Sequence, residues 1–107
     1  MTNEELQTKV IEEGLRQIYD PELPVNIYDL GLIYGVECDT SGEENRCDIT
    51  MTFTSPTCSM SDILLQLVES LPMRIEELDT AKVNLVFDPP WDQSKMSDEA
   101  KLTMGLL

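Results

Sequence analysis

The segment Ser55-Pro56-Thr57-Cys58 places a thiol where an apolar strand pattern gives way to an amphipathic helix pattern. Ser55 suits the N-cap and Pro56 the first helical position, which puts Cys58 at the third. First-turn N–H groups have no intrahelical partners, and the helix dipole adds about half a positive charge there. A thiolate in that place is stabilised, so its pKa falls and it becomes a better nucleophile and metal ligand. Asp62 opposes part of that shift. The plainer reading makes Cys58 a small hydrophobe that fills space at a helix start.

Cys38 and Cys47 fall on the apolar face of a strand pair and read as core filler. Their nine-residue separation matches no Cys-x-x-Cys spacing, so no closed metal site is expected within the chain. There are 0 histidines, which excludes Ser-His and Cys-His catalysis by one chain. Asp20, Glu22, Asn26 and Asp29 cluster in a loop. They supply turn and capping chemistry, or they line a surface beside Thr52, Thr54 and Cys58. Trp91, in Asp88-Pro89-Pro90-Trp91-Asp92, reads as a lid over the core.

Thr2 and Glu5 form a capping box. Leu6, Val10, Ile11, Leu15 and Ile18 follow at helical spacing, which predicts one helix running to Pro21. Leu32, Tyr34, Val36 and Cys38 then share one strand face, and Cys47, Ile49, Met51 and Phe53 another. Residues Asp39 to Asn45 carry hairpin turn signals. The expected register sets Cys38 against Cys47, Val36 against Ile49, Tyr34 against Met51 and Leu32 against Phe53. It brings the loop entering the first strand beside the turn leaving the second.

Met60, Ile63, Leu64, Leu67, Val68 and Leu71 predict a second helix, stopped by Pro72. Val83, Leu85 and Phe87 predict a third strand, reached by a crossover long enough for a parallel connection. Ser97 caps a short last helix that ends at Gly105. The order is α-β-β-α-β-α, an α+β two-layer fold with a small mixed three-stranded sheet, expected as one domain over residues 1–107.

The 7 basic against 21 acidic residues give a formal charge of −14. Such a field repels phosphate backbones and anionic lipid, which argues against nucleic acid and membrane partners. A basic patch on a protein is the natural complement. The first ten residues lack the features of a secretory signal, no apolar run approaches the ~20 residues of a membrane span, and three cysteines make an odd count. A reducing cytoplasm fits these features best.

The runs DPELPVNIYDLGLIY, MTFTSPTC and VFDPPWDQSKMSDEAKLTMGLL together resemble the SufT-like, PaaD-related family of metal–sulfur cluster biosynthesis proteins. The resemblance covers nearly the whole chain. It implies the iron–sulfur cluster assembly domain fold and a non-enzymatic role in maturing, or passing clusters to, iron–sulfur client proteins. Assembly proteins and client apoproteins are the implied partners. It implies a reactive cysteine at Cys58, an acidic loop at Asp20, Glu22 and Asp29, and supporting hydroxyls at Thr52 and Thr54, with Ser55 and Thr57 flanking the thiol. Many members have Gly before this cysteine and Pro or Gly after it, where this chain has Thr57 and Ser59.

One cysteine cannot hold a four-ligand cluster. A transient iron–sulfur cluster on Cys58 would take its other ligands from a second copy in a homodimer, a small thiol or a client. The alternatives are an adaptor without its own metal, and a thiol-dependent redox enzyme using Cys58. The latter would need a cation beside the thiol, and the local sequence supplies none.

Overall fold

The fold is a computed structural model that describes residues 2–20, 24–53 and 61–106. Thr2 caps the first helix, α1 (Asn3–Glu13), its hydroxyl accepting from the Glu5 N–H at 3.1 Å. Leu6 and Val10 form its buried face. The helix stops at Gly14, short of the expected Pro21, and a 3₁₀ turn over Leu15–Gln17 follows. A Cβ on Gly14 would stand 2.8 Å from Leu71 Cδ2 and 2.6 Å from the Val10 carbonyl oxygen. The absent side chain lets the chain break from the helix while pressed against Leu71.

Strands β1 (Ile33–Asp39) and β2 (Arg46–Met51) form the expected hairpin, and β3 (Thr80–Leu85) joins β2 in parallel, in the order β1-β2-β3. Cys38 faces Cys47 and Val36 faces Ile49, as the alternation required. Beyond Val36 the register shifts: Gly35 faces Thr50 and Ile33 faces Met51, leaving Tyr34 as the extra residue. The expected pairs Tyr34–Met51 and Leu32–Phe53 are therefore corrected. A bulge bends the strand and re-aims a side chain, and Tyr34 is released to meet the loop after β3.

Helix α2 (Ser61–Glu69) packs on β3, and α1 packs on β1. Leu64 and Val68 of α2 are fully buried with Ile49 and Met51 of β2. Each such side chain contributes roughly 1.5–3 kcal/mol by leaving water. Ile63 and Leu67 stay substantially exposed, so the buried stripe of α2 is narrower than its sequence suggests. The third strand likewise ends at Leu85, and Leu85 and Phe87 remain exposed at 39% and 43%. Helix α3 (Asp98–Thr103) is capped by Ser97, whose hydroxyl accepts from the Ala100 N–H, and Gly105 follows it at φ +75°. Among the described residues, three α-helices and a small mixed three-stranded sheet make this an α+β fold.

Cys38 and Cys47 do more than fill the core. Cys47 is buried and Cys38 packs against the core, but their sulfurs are joined in a disulfide. The reading of both as unpaired filler is corrected. The physical reason is the register itself, which sets the two residues directly opposite with 4.0 Å between their Cα atoms.

Candidate functional site

Parallel pairing of β2 with β3 sends both strands out at one end of the sheet, and the antiparallel β1 enters there. The Thr52 N–H donates to the Leu32 carbonyl at 2.8 Å, so the loop into β1 does meet the exit of β2. Phe53 and Phe87, just past the ends of β2 and β3, bring their ring centroids to 6.5 Å.

The loop into β1 is built on Asn26. Its side-chain oxygen accepts from the Asp29 N–H at 2.8 Å, its carbonyl accepts from the Leu30 N–H at 2.9 Å, and Gly31 closes the turn at φ +88°. The segment after β3 clasps this loop. Trp91 Nε1 donates to the Leu30 carbonyl at 2.8 Å, and the Ser97 N–H donates to the Asp29 carbonyl at 2.8 Å. Trp91 is half-buried against the core, in the lid position expected of it. A Cβ on Gly31 would lie 2.2 Å from the Lys95 carbonyl oxygen, so the clasp requires glycine there on steric grounds as well as on φ.

Asp29 is 8% exposed. One carboxylate oxygen accepts from Arg16 Nη2 at 3.0 Å and the other from Asn26 Nδ2 at 2.7 Å. Burial would raise its pKa, but hydrogen bonds from Asn26 and Arg16 and the guanidinium charge outweigh that, and the net direction is down. Arg16 also bridges to Glu12 and lies 5.5 Å from the Tyr28 ring centroid. The carboxylate thus has its own cation and ties α1's trailing turn to the loop.

Of the other residues singled out from sequence, Asp20 is partly exposed and its N–H donates to the Val25 carbonyl at 3.1 Å. Thr52 is 1% exposed, so its hydroxyl is enclosed and does not face solvent as expected. Cys58, with Thr54, Ser55, Thr57 and Glu22, lies outside the described residues. Among the described residues, no three His, Cys, Asp or Glu side chains are grouped to hold a metal ion. Nor is any described helix long and apolar enough to cross a membrane.

Sequence reasoning missed Arg16 as the partner of Asp29, and it missed Tyr34 and Lys95. A buried carboxylate in a loop signals that a cation must come from somewhere, but sequence alone does not say which. Tyr34 and Lys95 help line an open cleft of about 620 Å³ between the loop into β1 and the segment after β3. The Tyr34 hydroxyl donates to the Pro89 carbonyl at 2.7 Å, and Lys95 Nζ stands 5.1 Å from the Tyr34 ring centroid.

This helix-backed mixed sheet defines a class of small α+β domains that solved structures share. A domain-of-unknown-function protein from Bacillus anthracis superimposes with a TM-score of 0.84 at 37% identity, covering 98% of this chain and 96% of that one. A conserved hypothetical protein from Thermotoga maritima gives 0.71 at 30% identity, with 98% and 95% covered.

Residues 8–85 match the family model described as iron–sulfur cluster assembly protein, and the chain belongs to that family. It is 42% identical to a Porphyromonas gingivalis Fe-S protein maturation auxiliary factor over the full length of both chains. It is 38% identical to the Bacillus subtilis Fe-S protein maturation auxiliary factor YitW, over 96% of this chain and 98% of that one. The Staphylococcus aureus maturation auxiliary factor SufT is 37% identical, over 83% and 98%. The resemblance read from the three sequence runs thus holds.

Proposed function

We propose that this chain is an auxiliary factor in the maturation of iron–sulfur proteins, and that Cys58 is its functional thiol. The observation that carries the role is the 42% identity, over the whole of both chains, to a protein named for that function. The disulfide supports the choice of thiol: of 3 cysteines, the bond between Cys38 and Cys47 takes two, and Cys58 is the one outside it. The cluster is cargo in this reading, held by Cys58 together with sulfur from a second copy, a small thiol or the client. A site with one protein thiolate from this chain releases its cargo readily, which suits transfer to client apoproteins. In this reading Asp20, Glu22, Thr54, Ser55 and Thr57 are the residues that serve the thiol, and Asp29 and Thr52 belong to the supporting frame.

The test pairs anaerobic reconstitution with iron and sulfide with the activity of a cluster-dependent client enzyme in cells carrying only the variant chain. Cys58→Ser should remove cluster absorbance and lower client activity at least about tenfold, as for loss of an essential metal ligand. If neither form takes up a cluster but Cys58→Ser still abolishes client activity, the thiol acts without carrying cargo. Full client activity with Cys58→Ser would overturn the role of this residue.

A further inference from the structure

The cleft beside Tyr34 is absorbed neither by the thiol nor by the framing role of Asp29. Its floor and walls include Tyr28, Ile33 and Tyr34 from the loop and β1, and Pro89 and Lys95 from the segment after β3. At about 620 Å³ it has the size of a site that encloses a side chain or a small ligand. It is also built on purpose: the bulge frees Tyr34, the Pro89 carbonyl pins its hydroxyl, and Gly31 admits the Lys95 backbone at a distance no Cβ would allow. Bulges that re-aim one side chain commonly sit beside binding sites.

The chemistry of the cleft selects a cation. Both tyrosine rings already have an intramolecular one, Arg16 at 5.5 Å from Tyr28 and Lys95 at 5.1 Å from Tyr34. Lys95 has no carboxylate within 4.0 Å among the described residues; it lies over the Tyr34 ring, and its charge also acts on the Asp92 carboxylate. An ammonium with a ring contact and no close ion pair is loosely held at a partly exposed site. Burial first, and then the carboxylates of Asp92 and Asp88, push the Tyr34 hydroxyl pKa up, so both carboxylates act on the ring beside the cleft. Leu85 and Phe87, both exposed, lead along the chain to Pro89 and offer apolar surface for a flanking residue. The formal charge of −14 draws a basic segment toward this molecule and repels an acidic one.

We infer that this cleft docks an arginine- or lysine-bearing segment of a partner protein, the incoming cation taking the Tyr34 ring face from Lys95 within the field of Asp88 and Asp92. The inference rests on the proposed maturation role only for placing that partner among assembly proteins or clients. Binding is read without cluster or client activity, so either idea can fail alone.

The probe is a capped Gly-Arg-Leu-Arg-Gly peptide, titrated at physiological salt into the isotope-labelled chain and followed by amide resonances and Trp91 fluorescence. The peptide should shift the Gly31, Tyr34 and Lys95 amides in a saturable way, and a matched citrulline peptide should not. Tyr34→Ala should weaken binding about fivefold, the scale of one cation–π contact, while Tyr34→Phe stays within about twofold. Lys95→Gln should tighten binding about threefold by removing the competing cation, and this variant carries the test if Tyr34→Ala does not fold. No shift at these amides, or binding that Tyr34→Ala leaves unchanged, would mean attraction to the acidic surface at large and would overturn the proposal. So would weaker binding in Lys95→Gln. Preference for a glutamate peptide, lost in Lys95→Gln, would identify an anion site and overturn it equally.

Discussion

The two ends of the sheet are built to opposite specifications. At the hairpin-turn end, polar groups are tied off within the chain: Asn3 Oδ1 accepts from the Thr40 N–H and hydroxyl at 2.8 and 2.7 Å, and Asp79 Oδ2 accepts from the Asn45 N–H at 2.8 Å. Asn45 Nδ2 donates to the Glu77 carbonyl at 2.8 Å, and the Cys38–Cys47 bond locks β1 to β2. At the other end the register breaks at Tyr34, a cleft opens, and Leu85 and Phe87 stand exposed. The first end is closed on itself, and the other, though clasped between the loop into β1 and the segment after β3, keeps a cleft and exposed aromatic surface. Polar groups tied to one another within the chain hold an end together, whereas exposed apolar and aromatic groups mark surfaces that meet something else.

The largest loss of stability should come from the open end, where the clasp is tightest. Gly31→Ala combines a left-handed backbone with a clash against the Lys95 backbone, and should cost roughly 3–4 kcal/mol in chemical denaturation. A loss below about 1 kcal/mol would mean that the clasp yields easily.

At the closed end, replacing both Cys38 and Cys47 by alanine should cost about 2.5 kcal/mol under oxidising conditions, the scale of a disulfide closing a short loop. A reducing agent should lower the stability of the wild type but not of the double variant. Thiol titration of the native chain should find one free sulfur, and three would remove the closed end's covalent lock.

Asp29→Asn should cost about 2 kcal/mol by unpairing Arg16 at a partly buried site. The Asp29 pKa lies below its ordinary value in the folded chain, so its contribution is complete above the unfolded pKa of about 3.9 and is lost as pH falls through the folded value. The variant should therefore show a shallower acid limb in stability against pH than the wild type. Identical acid limbs would mean that the pair with Arg16 is idle. The smallest effect belongs to Trp91→Phe, which removes one hydrogen bond to the Leu30 carbonyl and should cost about 1 kcal/mol.

The hairpin shows where pattern suffices and where it fails. Alternation placed Cys38 against Cys47 and Val36 against Ile49, because a one-residue slip there would turn the apolar face to solvent. It failed at Tyr34, because a bulge costs the pattern nothing that sequence displays. Helix α1 shows the same limit. Its capping threonine was legible, but its end at Gly14 depends on Leu71, which is distant in sequence.

By itself the sequence determined the order α-β-β-α-β-α, the caps at Thr2 and Ser97, the mixed sheet and the family, since each rests on local periodicity, capping chemistry or motifs read in order. The tertiary structure alone decided that Asp29 is neutralised by Arg16, that Cys38 and Cys47 are bonded, and that Tyr34 and Lys95 share a cleft. Each of those depends on a distance between side chains that fold together from separate parts of the chain. Periodicity records which way a residue faces, but a pair of charges, a pair of sulfurs or a ring under an ammonium exists only once two such faces have been brought within a few ångströms.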